Sequence, residues 1–96
     1  MLVQLVRFRS ALSDEAVLER YRGRAPRYRE LSGLVQKYYL KFPATDEYGA
    51  VYVWKSEEAM TAFHASDLAK TIAKAYEVQE APQVETAEVE MTLRST

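Results

Sequence analysis

The sequence predicts an α+β fold, a four-stranded antiparallel sheet with its helices on one face. Three observations lead there. Two short runs rich in β-formers, LVQLVRFR and LVQKYYLKF, flank a stretch whose apolar residues recur at helical spacing. Turn chemistry in PATDEYG follows the second run and leads into a third, AVYVW, so these two form a hairpin with a loop of moderate length. A second helical stretch and the alternating VETAEVEMTLR complete the order β-α-β-β-α-β, the ferredoxin-like split arrangement. Right-handed crossovers then place both helices on the same side of the sheet and leave the other side bare.

Each element has its own signals. The first strand, residues 2–9, is apolar on both alternating sets, Leu2, Val6 and Phe8 against Val3 and Leu5, so cover is expected on both faces. Ser13 can cap the first helix, with Asp14 and Glu15 near its positive end. Ala16, Val17 and Tyr21 form its apolar stripe, with Leu12 as a staple before the cap. Gly23 suits the position just past a helix end and Pro26 discourages continuation, so a separate turn is expected over residues 28–31. In the second strand Leu34, Gln36, Tyr38, Leu40 and Phe42 share one face. Val35, Lys37, Tyr39 and Lys41 share the other. Ser56 caps the second helix ahead of Glu57 and Glu58, and Met60, His64, Leu68, Ile72 and Tyr76 repeat every four residues. Ser66 and Asp67 can cap the chain anew and split this helix. The last strand is expected over residues 84–94, with Val89, Met91 and Leu93 on one face.

A chain of 96 residues, 48% hydrophobic and 28% charged, has the makings of one ordered domain over residues 1–96. A net charge of −1 supplies no overall pull toward nucleic acid or anionic lipid, and neither partner is expected. The absence of cysteine excludes disulfides, thiolate nucleophiles and thiolate metal sites. Glycines are isolated, so no phosphate-cradling loop is present and no nucleotide cofactor is expected. No apolar run approaches the roughly 20 residues of a membrane span. The N-terminal stretch is short for a leader and holds Arg7 and Arg9, so a cytoplasmic protein is expected.

The stretch GLVQKYYLKF…EYGAVYVWKSEEAMTAF, residues 33–63, resembles the monooxygenase family of the YdhR type. The features that carry it are GL before the second strand, KYY within it, and G-x-V-Y-x-W-x-S-x-E-A-x-x-x-F over residues 49–63. That family belongs to the dimeric α/β-barrel superfamily, with antibiotic-biosynthesis monooxygenases and heme-degrading enzymes. The resemblance implies a homodimer packed through its sheet faces and a pocket in each subunit between sheet and helices. It also implies a cofactor-independent oxygenation of a small aromatic or polyketide-like phenol. Relatives use an Asn together with Trp and tyrosines, or an Asn, a Trp and an iron-ligating His. This chain has no Asn, and the heme relatives' helical Trp and His positions fall at Phe63 and about Ala73, which argues against heme degradation.

His64 is then the candidate base, because a neutral imidazole can take a proton from a phenol near neutral pH. Its plainer reading is a core-edge histidine with a backbone or tyrosine partner. Trp54 and Tyr52, alternate residues of one strand, can floor a pocket for a planar ligand or pack the strand–helix corner. Phe63 offers an apolar wall. Five of the eight arginines lie in residues 20–29, and Arg27 is the candidate guide for an anionic substrate, against a solvated turn. Lys37 is expected to meet a carboxylate at the dimer seam. No metal ligand set is expected. A non-catalytic metabolite-binding or stress-related protein, or a cofactor-free isomerase or lyase, fits the same residues.

Overall fold

The computed structural model, described over residues 1–94, runs β1 (Leu2–Phe8), α1 (Asp14–Arg29), β2 (Leu34–Phe42), β3 (Glu47–Trp54), α2 (Glu57–His64), α3 (Asp67–Lys70), α4 (Ile72–Ala75) and β4 (Gln83–Glu88). The strands form one antiparallel sheet of order β2-β3-β1-β4, the α+β ferredoxin-like arrangement expected from the element order. The sheet is open, with β2 and β4 at its edges. Among the described residues no helix is long and apolar enough to cross a membrane.

Three serines start three helices. The side chains of Ser13, Ser56 and Ser66 accept from the backbone N–H of Ala16, Ala59 and Ala69, each satisfying a donor the helix cannot use internally. The cap at Ser66 splits the second helical stretch as its sequence suggests. Gly33 explains the close β3–α2 corner: a Cβ there would lie 2.1 Å from the Cβ of Ala59, while its carbonyl accepts from Lys55 N–H at 2.8 Å.

Two boundaries differ from expectation. The end predicted at Gly23 and Pro26 is absent, and α1 continues to Arg29. Pro26 lies in the last turn, where it removes a partner only from the carbonyl of exposed Arg22. Continuing the helix puts Tyr28 on the same face as Val17, Tyr21 and Arg24, and buries Tyr28 to 4% exposure. The final strand is also shorter than residues 84–94. Its ladder follows β1, which runs out when Met1 C=O accepts from Val89 N–H at 2.9 Å. Residues 90–94 have no strand to pair with, and Met91 and Leu93 are exposed. The β2–β3 loop is tight: Phe42 pairs with Glu47, and Asp46 takes the left-handed conformation at φ 54°.

Register assigns each side chain to a face, with one departure from expectation: β2 is irregular between Leu34 and Gln36, so Leu34 packs into the core opposite Trp54 and does not share the face of Gln36, Tyr38, Leu40 and Phe42. Gln4, Val6 and Phe8 of β1 stand opposite Tyr52, Ala50 and Tyr48 of β3, and Lys37, Tyr39 and Lys41 of β2 stand opposite those same three residues. This face meets the helices, and its core joins Tyr28, Tyr52, Trp54, Phe63 and Leu68. The other face carries Val3, Leu5, Val51, Val53, Tyr38, Leu40 and Phe42, with Tyr38 56% exposed.

Candidate functional site

The sheet and helices do not close completely on each other. Between them lies a cavity of about 200 Å³, lined by β1, β2 and β3 on one side and by α1, α2, α3 and α4 on the other. A cavity of roughly 150 Å³ holds a benzene molecule, so this one has room for a single substituted ring. Its walls are Val6, Phe8, Tyr28, Tyr39, Tyr52, Phe63, Ile72 and Tyr76, with exposed His64, Ala73, Pro82 and Val84 at the rim.

Polar groups are few and specific. The hydroxyls of Tyr21, Tyr28 and Tyr76 are buried and find no partner among the described residues. Burial pushes the Tyr21 hydroxyl up to about 12 and raises those of Tyr39, Tyr52 and Tyr76, so all four stay neutral near pH 7. A buried hydroxyl without a partner costs on the order of 1–3 kcal/mol, and a polar ligand atom in the cavity would relieve that cost.

Lys37 supplies the cavity's amine. Its Nζ stands 3.5 Å from the ring centroid of Tyr28, 4.5 Å from that of Tyr39 and 4.6 Å from that of Tyr52. The carboxylate partner expected at a dimer seam is not there, because strand alternation turns Lys37 toward the helices, away from the bare sheet face. Burial, with Arg24 nearby, lowers its ammonium from 10.5 to about 7. The three ring faces pull the other way, each attracting a cation by about 0.5–2 kcal/mol. Lys37 is thus held near the balance between amine and ammonium.

The chain's single Trp and single His are connected, though not directly. Trp54 Nε1–H donates to Oε1 of Gln4 at 3.4 Å, and Gln4 Nε2–H donates to His64 Nε2 at 2.9 Å. An indole can only donate, which orients the Gln4 amide and makes His64 Nε2 the acceptor. Gln4 is the buried polar residue of the sheet, 3% exposed, and both halves of its amide are used here. The imidazole lone pair that a base would need is therefore already engaged by Gln4.

The structure brings some of the expected residues together and separates others. Tyr52, Phe63 and His64 all line the cavity. Trp54 lies behind Tyr52, stacked on it at 5.7 Å and 4°, and is 1% exposed, so it supports the wall without forming it. Arg27 is exposed on the outer side of α1. Its neighbour one turn earlier, Arg24, turns inward: Nη2 donates to Leu68 C=O at 2.7 Å and Nη1 to Thr71 Oγ1 at 3.3 Å, tying α1 to α3. Lys37, Gln4, Arg24 and Tyr28 have no expected role here from sequence. The alternation that puts Lys37 in phase with Tyr39, and the spacing Val17, Tyr21, Arg24, Tyr28, are the signals that point to all of them but Gln4.

No protein-family model and no curated sequence matches the chain. Solved structures share its fold throughout. A protein of unknown function from Nitrosomonas europaea superposes with a TM-score of 0.79 at 19% identity, over 99% of this chain and 94% of that one. SnoaB, a cofactor-independent oxygenase from Streptomyces nogalater, gives 0.77 at 17% identity, over 98% and 97%. A candidate antibiotic biosynthesis monooxygenase from Deinococcus radiodurans gives 0.77 at 14%, over 100% and 99%. These likenesses show the shared fold.

Proposed function

We propose that this protein binds a small, single-ring phenol or enol in the cavity and promotes its reaction with oxygen without a cofactor, as a relative of YdhR-type monooxygenases. The observation that carries this reading is the pairing of an unpartnered amine, Lys37, with the unpartnered hydroxyls of Tyr21, Tyr28 and Tyr76 around one aromatic-lined space. Lys37 takes the phenolic proton and, as an ammonium, holds the phenolate beside it. The electron-rich ring then adds oxygen at carbon. Loss of water leaves a quinone, so that C₆H₅OH and O₂ give C₆H₄O₂ and H₂O. Desolvation by Tyr52, Phe63 and Ile72 strengthens the phenolate–ammonium attraction.

Of the two bases that face the cavity, Lys37 has the free lone pair. His64, held by Gln4, serves at the rim as a hydrogen-bonding residue for the entering substrate. Trp54 keeps Tyr52 in place as the ring's platform, and Arg27 is left in solvent as a distant anion guide. The SnoaB likeness favours oxygen as co-substrate but carries no residue roles at 17% identity.

The bare sheet face completes the reading. Val3, Leu5, Val51, Val53, Leu40 and Phe42 form a contiguous apolar surface of a kind that stable monomers seldom expose, and a second copy packed face to face would bury it. Light scattering should report twice the chain mass, and Leu5→Glu should halve it. A wild-type mass of one chain would remove the dimer.

Oxygen consumption tests the chemistry. With a panel of single-ring phenols, uptake is expected to fall about tenfold or more in Lys37→Met and less in His64→Ala. Three-ring anthrone should react more slowly, being larger than the cavity. Equal uptake by wild type and Lys37→Met would end the proposed role of the amine.

A further inference from the structure

An amine that is close to neutral and walled by aromatic rings is a nucleophile as well as a base. The other lysines differ from Lys37 in this respect. Lys41 is held between Asp14 and Asp46, and Lys55, Lys70 and Lys74 stand in solvent. Nζ of Lys37 faces inward over Tyr28, with no ion pair among the described residues and ligand-sized space in front of it. Three of the hydroxyls lining that space, on Tyr21, Tyr28 and Tyr76, have no hydrogen-bond partner among the described residues.

We propose that the cavity also captures small single-ring aldehydes or ketones covalently, with Lys37 Nζ forming an imine at their carbonyl carbon. The amine lone pair makes the C–N bond as the carbonyl π bond opens onto oxygen. A tyrosine hydroxyl gives that oxygen a proton and recovers one from nitrogen, leaving a carbinolamine. The tyrosine then gives a proton to the carbinolamine hydroxyl, which leaves as water as the nitrogen lone pair closes the C=N bond, and the remaining N–H proton returns to the tyrosine. Nothing is oxidised or reduced, and hydrolysis reverses the step. The aromatic walls select a planar ring, and the space of about 200 Å³ limits it to one ring. A lysine lowered from 10.5 to about 7 keeps a large neutral fraction at pH 7, on the order of 10³ times that of a solvent lysine. This activity uses the same cavity as the oxygenation but needs no oxygen.

Trapping on the intact wild-type chain tests it. Benzaldehyde with cyanoborohydride at pH 7 converts each imine to a stable benzylamine, which peptide mapping assigns to a lysine. Lys37 should be labelled about tenfold or more ahead of Lys55, Lys70 and Lys74 at pH 7, and its rate should level off above about pH 7 while theirs keep climbing toward about 10.4. Lys37→Arg should lose that one adduct and keep the others. Even labelling of all lysines, or a Lys37 rate that climbs only with the exposed ones, would overturn the assignment. The site is mapped on wild type, so a poorly folded variant cannot obscure the result. Imine trapping without oxygen uptake would leave this inference standing and the oxygenase reading fallen, and uptake without trapping the reverse.

Discussion

Lys37 and Lys41 are four residues apart on β2, on the same face of the same strand, and each lies over a tyrosine ring, at 3.5 Å for Tyr28 and 3.9 Å for Tyr48. Their surroundings drive them in opposite directions. Lys37 is lowered to about 7 by burial, whereas Lys41 is raised, chiefly by its hydrogen bond to Asp46 and further by Asp14. Asp14 in turn accepts from the Tyr48 hydroxyl and is lowered by it. Aromatic contact is common to both sites, so it cannot be what separates them. The difference lies in carboxylates and exposure: Lys41 stands exposed between Asp14 and Asp46, whereas Lys37 is largely buried with no ion pair among the described residues. Burial lowers Lys37, with no carboxylate among the described residues to offset it, and its contact with rings is not what sets it apart.

The largest effect on this contrast should come from behind the cavity wall. Trp54→Ala removes the support of Tyr52, and with it one wall around Lys37. A loss of about 3–5 kcal/mol is expected in denaturant unfolding, while the Lys41–Asp46 pair, at the hairpin end of the sheet, should remain intact.

A pH series separates the two lysines next. Lys37 is depressed in the folded protein, so between about 7 and 10.5 the unfolded chain holds more protons than the folded one, and stability rises with pH. Wild type should gain on Lys37→Met by at most about 1.4 kcal/mol per pH unit across that window. A flat difference would mean that Lys37 titrates as an ordinary lysine. For Lys41 the sign is reversed. Its folded value lies above 10.5, so its contribution is complete below 10.5 and fades as pH climbs through the folded value. The smallest effect belongs to Lys41→Met, which removes an exposed pair that salt screens. Its change in unfolding midpoint should be minor and should vanish in high salt.

Much of the fold is legible along the chain itself, because its signals are short-range. The serine caps at Ser13, Ser56 and Ser66, the alternation of Gln36–Phe42 and the turn before Glu47 each depend on residues within a few positions. The misjudged boundaries show where that logic stops. Gly23 and Pro26 are genuine local stop signals, overridden because Tyr28 gains a buried position; residues 90–94 alternate as a strand should but have no neighbour to pair with. The site is less legible still. Tyr52, Phe63 and His64 are readable as cavity residues from their strand and helix phases. Gln4 is not, since its two partners lie 50 and 60 residues away.

The amino-acid order thus determines the succession of elements, their capping and the face that each side chain presents, for these follow from periodicity and backbone chemistry along the chain. Tertiary packing alone decides that Arg24 ties α1 to Leu68 and Thr71, that Gln4 joins Trp54 to His64, and that among the described residues Lys37 has no carboxylate while Lys41 has two. Those outcomes depend on desolvation and on which distant segments meet, and both are properties of the packed chain.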